Sequence, residues 1–248
     1  MLSPNVALLL ALLSTAAATR RPSFEAEQRA NPRVAAAFAA RESRLQASFA
    51  RARALYPPRA ILLRVFKRDA VLELWAEGAE ERYVLVGSYA VCASSGDLGP
   101  KRREGDGQVP EGFYRLNHFN PASTYHLSLG VDYPNAADRQ VTLSRPGGAI
   151  YIHGDCVTIG CIPITNDGID EVYVAAVLAR SGGQAAIPVH LFPTRLTDEA
   201  MNALAREHAS SPELVAFWRN LKEGFDRFER DRRPPHVEAG AGGRYRFR

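Results

Sequence analysis

Cysteine is scarce in this chain, with only Cys92, Cys156 and Cys161 among 248 residues. So low a content excludes a small scaffold held together by disulfides, and the odd number leaves at least one thiol free or bonded to another chain. Apart from a short stretch at the start, no apolar run approaches the roughly 20 residues of a membrane-spanning helix. Since 46% of the residues are hydrophobic, disorder of the whole chain is also excluded. We therefore expect one large or two small globular domains.

The main part of the chain has almost no excess charge. The net charge is +4, and residues 226–248 supply most of it, with seven arginines against four acidic residues. The pI of about 9.1 is therefore mostly a property of the C-terminal segment, and we expect no nucleic-acid partner. We expect residues 233–248, rich in Arg and Gly, to form a disordered basic tail.

The N-terminus has the pattern of an export signal. Val6 to Leu13 form a short apolar core, and Ala16 to Ala18 supply an A-x-A cleavage site. The segment before the core has no Lys or Arg, so a retained anchor or a wrongly assigned start is the alternative. We expect residues 1–18 to be a cleaved signal peptide, with no other transmembrane segment, and the mature protein to be exported into an oxidising compartment.

The remaining chain predicts a β domain between helical extensions. Asn31-Pro32 can cap and begin a helix over about 32–54, and Pro57-Pro58 ends it. A second helix is expected over 169–180, and Thr197 and Ser211-Pro212 open two more. The division expected is a helical extension over 19–56, a β domain over 57–195 and C-terminal helices over 196–232. The predicted strands are 60–66, 71–76, 83–91, 113–117, 125–129, 149–153 and 187–192.

The residues with the clearest chemical potential lie in Ile150–Pro163, which holds one His and two Cys at a strand-to-helix junction. Cys161 follows Gly160 and can act as a nucleophile, with His153 as its base and nearby backbone N–H groups as oxyanion donors. In a second interpretation, His153, Cys156 and Cys161 bind zinc, although the segment has no CxxC pair. In a third, both cysteines and the histidine are buried core residues. Spacing alone leaves all three open.

A resemblance favours the nucleophile. His153-Gly154 followed by Thr158-Ile159-Gly160-Cys161 resembles the active-site signature of the YkuD-type L,D-transpeptidases. Further segments resemble the YafK-like branch of that family, so that the likeness covers roughly residues 55–195. These segments are Ser94–Lys101, Gly105–Tyr114, Asn120–Ser123, His126–Leu129 and Tyr133–Arg139.

The resemblance implies the fold, the chemistry and the partners. The fold would be mainly β, similar to the family's β-sandwich, with one helix after the nucleophile. Cys161 would be the catalytic nucleophile and His153 the general base, with the Gly154 carbonyl orienting the imidazole and the backbone N–H groups around Gly160 binding the oxyanion. The substrate would be a peptidoglycan stem peptide containing diaminopimelate, with no metal and no cofactor. A lipoprotein linked to the wall is a second partner known from this branch.

Two residues depart from the family pattern. Ile159 replaces the His found before Gly-Cys in the broad family, and Pro163 replaces a polar residue two positions after the Cys. The first change leaves the base in place, because the upstream His153 has that role. The second removes a polar substrate contact, which puts transfer in doubt more than acylation and favours hydrolysis. The alternatives are therefore an amidase of the same family and, from another class, a non-catalytic peptidoglycan-binding module.

Other residues are weaker candidates for substrate binding. Thr158 belongs to the signature, and His126 lies on a predicted strand that can face the cleft or pack as strand structure. Tyr133, Asn135 and Arg139 can bind stem-peptide carboxylates, or Tyr-Pro-Asn-Ala can simply form a turn. Cys156 can pair with Cys92, leaving Cys161 reactive, or with Cys161, giving a redox switch or an inactive form; the sequence does not fix the pairing.

Overall fold

A computed structural model describes residues 22–142 and 145–248, so the predicted signal peptide lies outside the described residues. The helices are α1 (Phe24–Arg29), α2 (Pro32–Ala52), α3 (Ala136–Val141), α4 (Asn166–Ser181), α5 (Asp198–Glu207) and α6 (Pro212–Asp231). The strands are β1 (Ile61–Phe66), β2 (Val71–Glu77), β3 (Tyr83–Ala90), β4 (Gly112–Asn120), β5 (Ser128–Val131), β6 (Ile150–His153), β7 (Ile162–Pro163), β8 (Pro188–Phe192), β9 (Val237–Ala239) and β10 (Tyr245–Phe247).

Eight of the strands form one curled sheet in the order β3-β2-β1-β8-β4-β5-β6-β7. All neighbours are antiparallel except the pairs β1–β8 and β6–β7, which are parallel. β4 belongs to both halves of the sheet, since Gly112 to Arg115 pair with β8 and Leu116 to Asn120 pair with β5. An irregularity in register between Leu116 and His118 lies at this change of partner, and such bulges bend a strand. The predicted mainly β fold is confirmed.

The two edges of the curled sheet meet at one end, which we call the seam. Val91, just after β3, forms an antiparallel bridge with Ile164, just after β7. The backbone N–H of Cys92 donates to the carbonyl of Pro163 at 3.0 Å, and a disulfide joins Cys92 to Cys156. The seam therefore fixes the β6–β7 connection, which contains Cys161, to the end of β3.

Helices cover the sheet on both faces. On one face, α2 packs against α4 and buries Phe38 and Phe49 with the strands. On the other face, α5 and α6 bury Trp218 and Phe225 against Phe66 of β1. Each such large apolar side chain contributes on the order of 1.5–3 kcal/mol when fully buried. As the sequence predicts, Asn31 caps α2 by accepting from the N–H of Arg33. Every helix in the described ranges is too short or too polar to cross a bilayer.

The C-terminal segment is ordered, and the prediction of a disordered tail over 233–248 is wrong. β9 and β10 form a hairpin that packs beside α6. The side chain of Asn220 on α6 accepts from the N–H of Tyr245 at 2.7 Å and donates to its carbonyl at 2.9 Å. Tyr245 is buried and, with Phe247, packs its ring against Phe113. Tyr245 and Phe247, two residues apart on one strand, point to the same face and supply buried apolar surface. The polar composition of the segment gives no sign of this burial.

Most predicted elements agree with the structure within a few residues, and two do not. The strand predicted over 125–129 is displaced to β5 at Ser128–Val131. Residues 121–127 instead form a loop that contacts α2. The segment interpreted as a turn at 133–136 leads into α3, whose N-cap Asn135 forms a capping box with Asp138. The Asn-x-x-Asp spacing was the available signal for this helix.

Candidate active site

Two adjacent parallel strands bring His153 and Cys161 together. His153 ends β6 and is in register with Pro163 of β7, two residues beyond Cys161. Both side chains line one cavity of about 290 Å³, which we call the histidine-side cavity. Its other lining residues are Asn120, Ser123, Thr124, Tyr125, Ser128, Ala149 and Tyr151.

The tautomer of His153 follows from its hydrogen bond. The ring is buried, and Nδ1 lies 2.5 Å from the carbonyl oxygen of Gly154, the orienting contact that the resemblance implies. Because a carbonyl only accepts, Nδ1 carries the proton and the neutral ring keeps a lone pair on Nε2. Burial lowers the pKa of His153, so the ring is neutral near pH 7. A neutral imidazole with a free Nε2 is able to accept a proton.

Cys161 is held by a short loop. The hydroxyl of Thr158 accepts from the N–H of Cys161 and donates to its carbonyl, both at 2.8 Å. Thr158, predicted as a substrate contact, therefore shapes the nucleophile loop. Gly160 has φ of +99°, and a Cβ there would lie 3.1 Å from the carbonyl oxygen of Gln108, so this position favours glycine. Burial raises the pKa of the Cys161 thiol.

The backbone donors predicted for an oxyanion already have partners. The N–H of Gly160 donates to the hydroxyl of Ser95 at 2.7 Å, and the N–H of Cys161 donates to Thr158. An oxyanion would have to displace these hydroxyls or bind beside them. Ser95, which the sequence analysis did not single out, keeps its own hydroxyl proton for donation.

A second cavity, of about 360 Å³, reaches Cys161 from the side of the loop over 93–98. We call it the serine-side cavity, because Ser94 and Ser95 line it. Its apolar wall is formed by Val65, Val91 and Val109. Cys161 thus lines both cavities.

A buried ion pair holds the loop that walls the serine-side cavity. The ammonium of Lys67 donates to the carbonyls of Asp97, Gly99 and Val109, and to the carboxylate of Glu111 at 3.0 Å. The same carboxylate accepts from the N–H of Gly99 at 2.7 Å and from the indole of Trp218 on α6 at 2.7 Å. The loop that contacts Gly160 is therefore tied to the C-terminal helix.

The loop over 121–127 walls the histidine-side cavity and is held by α2. The guanidinium of Arg33 on α2 donates to the carbonyls of Ser123, at 2.7 Å, and of His126. His126, predicted as a substrate contact, instead bonds Asp170 of α4 through Nε2 at 2.7 Å. Between these two anchors, the ring of Tyr125 lies 4.9 Å from the ring of His153. The loop therefore presents Tyr125, not His126, to the site.

Tyr133, Asn135 and Arg139, predicted as substrate contacts, do not line either cavity that contains Cys161. Tyr133 is buried, and its hydroxyl donates toward the carbonyls of Lys101 and Pro146, each at 3.3 Å. The side-chain oxygen of Asn135 caps α3, and its amide nitrogen donates to the carbonyl of Phe113. Arg139 is exposed on α3. The turn interpretation was nearer to the observed role.

The cysteines divide into a structural pair and a free thiol. Cys92 pairs with Cys156, and Cys161 is free. This is the first of the two pairings considered, and the zinc interpretation loses Cys156 as a ligand. In the described ranges, no three His, Cys, Asp or Glu side chains are placed to hold a metal ion.

We expect the folded chain to react with one equivalent of thiol reagent and the reduced, unfolded chain with three. Peptide mapping after alkylation without reductant should place the label on Cys161 alone, because Cys92 and Cys156 are bonded. Label on Cys92 would show the alternative pairing of Cys156 with Cys161, and no label at all would show that Cys161 is itself oxidised.

The two pKa shifts predict the pH dependence of that labelling. Burial raises the pKa of the Cys161 thiol and lowers that of the His153 imidazole, so the resting pair at pH 7 is a thiol and a neutral ring. The rate of alkylation by iodoacetamide should therefore keep rising as the pH passes about 8.5, the value of an ordinary thiol. A thiolate–imidazolium pair would instead give a rate that levels off below about pH 7.5.

The fold and the site define a mainly β protein whose sheet seam presents a cysteine and a histidine to a common cavity. Residues 61–184 match the family model described as YkuD, the L,D-transpeptidase catalytic domain. The Putative L,D-transpeptidase YafK of Escherichia coli strain K12 is 40% identical over 187 residues, which cover 75% of this chain and 72% of that protein. The chain belongs to the L,D-transpeptidase family.

Two crystal structures of the helical cell shape determining protein Pgp2 from Campylobacter jejuni are more distant. The Pgp2 structure is 19% identical over 72% of each chain, with a TM-score of 0.44. For its K307A mutant the match has 23% identity and a TM-score of 0.44, and it covers 56% of this chain and 49% of that one. The chain thus spans about half the length of the mutant structure.

Proposed function

We propose that the protein is a cysteine acyltransferase that acts on diaminopimelate-containing stem peptides of peptidoglycan, in the periplasm. The observation that carries this proposal is the placement of His153 and Cys161 on one cavity, with the imidazole tied to Gly154 through Nδ1 and free at Nε2. Membership of the L,D-transpeptidase family supports the same substrate class and a location outside the cytoplasm.

The first half of the reaction forms a thioester. The thiol proton of Cys161 passes to Nε2 of His153, and the sulfur attacks the carbonyl carbon of an amide in the stem peptide. The carbon–nitrogen bond then breaks, and the leaving amine takes the proton back from Nε2. A neutral thiol and a neutral imidazole are the correct starting forms for this exchange, because neither group has to lose a charge first.

The second half of the reaction decides the product. An incoming amine would attack the thioester and give a new cross-link, whereas water would give hydrolysis. Pro163 favours hydrolysis, because it supplies no polar side chain beside the nucleophile. An amidase that detaches a lipoprotein from the wall, or cleaves cross-links, is therefore the second candidate function. The serine-side cavity at Cys161 provides space for an amine acceptor. Transfer therefore remains the first candidate function.

The experiment is incubation of the purified chain with intact sacculi, followed by identification of the released and retained muropeptides by mass. New diaminopimelate-to-diaminopimelate links establish transfer, and released peptides or lipoprotein fragments establish hydrolysis. Cys161→Ala should give neither. Ile159→Ala is the matched control from the same loop, because its side chain is 87% exposed, and it should retain activity. If the Cys161→Ala variant is as active as the unaltered chain, the proposal is wrong; if neither acts but both bind sacculi, the protein is a binding module.

A further inference from the structure

The arginines of the C-terminal segment gather around a cavity that the proposed reaction does not use. This cavity, which we call the arginine cavity, has a volume of about 460 Å³ and lies where α6 meets the C-terminal hairpin. Five arginines line it, together with two acidic residues and two prolines. They are Arg82, Arg227, Arg230, Arg233, Arg248, Glu80, Asp231, Pro234 and Pro235.

Not all of these cations are neutralised by the protein. Arg230 forms a two-bond ion pair with Asp231, with N–O distances of 2.8 Å, and Arg248 lies 3.2 Å from the carboxylate of Glu238. Arg233 lies 3.4 Å from the carboxylate of Glu81. Within the described residues, Arg82 and Arg227 form no direct ion pair or hydrogen bond, but both lie near enough to the Asp231 carboxylate, already paired with Arg230, to help lower its pKa. The cavity therefore keeps at least two guanidinium groups available to a ligand.

We propose that the arginine cavity is a binding site for phosphate-bearing anions. The planar guanidinium offers two parallel N–H donors that match phosphate oxygens, and it stays charged at every physiological pH. Several guanidinium groups around one concave surface raise the local potential for a single anion of high charge density. The carboxylates of Glu80 and Asp231 oppose anion binding, so a ligand has to bond the guanidinium groups directly.

The arginine cavity is remote from Cys161. Arg82 directly precedes β3, and Cys92, at the seam, follows that strand. The eight residues of β3 span about 26 Å at roughly 3.3 Å per residue. No residue lines both the arginine cavity and a cavity containing Cys161. An anion at the arginine cavity would leave the nucleophile open, so the site serves to localise or anchor the protein.

The test compares the purified chain with two double variants of equal charge. Arg82→Gln with Arg227→Gln removes the two unpaired cations of the cavity. Arg51→Gln with Arg206→Gln removes two exposed arginines elsewhere and is the matched control. Each protein is titrated with sn-glycerol 3-phosphate by calorimetry, and sedimented with vesicles of equal parts phosphatidylglycerol and phosphatidylcholine or of phosphatidylcholine alone.

We expect the cavity variant to bind about 25-fold more weakly, at about fivefold per arginine, and the control variant to bind like the unaltered chain. Binding of sn-glycerol 3-phosphate identifies a small anion as the ligand. Binding of the phosphatidylglycerol vesicles without binding of sn-glycerol 3-phosphate identifies a lipid headgroup. The inference is overturned if neither probe binds, or if both variants lose binding equally. Unchanged alkylation of Cys161 in all three proteins shows that the fold is intact, and the outcome does not depend on the proposed reaction.

Discussion

Replacement of His153 by asparagine is expected to slow formation of the thioester on Cys161 by about 10²- to 10⁴-fold, the usual contribution of a general base. The amide of asparagine can still donate to the carbonyl of Gly154, but its oxygen is far too weak a base to take the thiol proton. The measurement is the appearance of the acyl-enzyme mass after mixing with a diaminopimelate-containing stem peptide, in a single turnover.

Two comparisons separate proton transfer from a structural role of His153. At pH values above the pKa of the thiol, alkylation of Cys161 by iodoacetamide needs no base, so the unaltered chain and the His153→Asn variant should react at similar rates. If alkylation falls as far as acylation does, His153 only positions the thiol. His118→Asn is the matched control, because His118 is exposed and lines neither cavity that contains Cys161.

Replacement of Glu111 by leucine is expected to lower the free energy of unfolding by about 3–5 kcal/mol, the usual cost of removing one partner of a buried ion pair. The side chain of Glu111 is fully buried. Its loss leaves the indole N–H of Trp218 and the N–H of Gly99 without their acceptor. It also removes the counter-charge of the Lys67 ammonium, which keeps only neutral carbonyl acceptors. Guanidinium denaturation followed by tryptophan fluorescence measures the change.

Glu207→Leu provides the matched control for Glu111. Glu207 also pairs with a cation, Arg68, at 2.6 Å, but both side chains are exposed, and ion pairs in water contribute little. The variant should unfold at nearly the same denaturant concentration as the unaltered chain. Equal losses from both substitutions would show that burial of the Lys67–Glu111 pair has no special cost. Because Glu111 also fixes the loop of Ser95, its variant should acylate more slowly even where it is folded.

Local signals in the sequence predict most of the fold and the centre of the site. Asn31-Pro32 begins α2 because a side-chain cap and a proline at the first helical position depend only on neighbouring residues. His153 and Cys161 are found from the signature because both lie on one short segment of the chain. The family match and the eight-stranded sheet confirm the family resemblance and the mainly β fold that were predicted from such local evidence.

Contacts between distant residues could not be predicted in this way. Arg33 and the loop it holds are 90 residues apart, and no local pattern marks either as a partner of the other. The alternation of polar and apolar residues around His126 is typical of a strand. Hydrogen bonds of His126 to Arg33 and Asp170 stabilise a loop there instead. The tail looked disordered because its composition is polar, while Tyr245 and Phe247 are sufficient to anchor it.

The position of β8 determines when this protein can fold. Among the described strands, β3, β2 and β1 on one side and β4 to β7 on the other are joined by ladder pairing only through β8. At the seam they meet in the single Val91–Ile164 bridge and the Cys92–Cys156 disulfide. Residues 188–192 therefore close the sheet, after nearly four-fifths of the chain has been synthesised. Pairings of such large sequence separation make folding slow. A chain ending at residue 184, where the family match ends, would contain both candidate catalytic residues but would lack the strand that unites its halves.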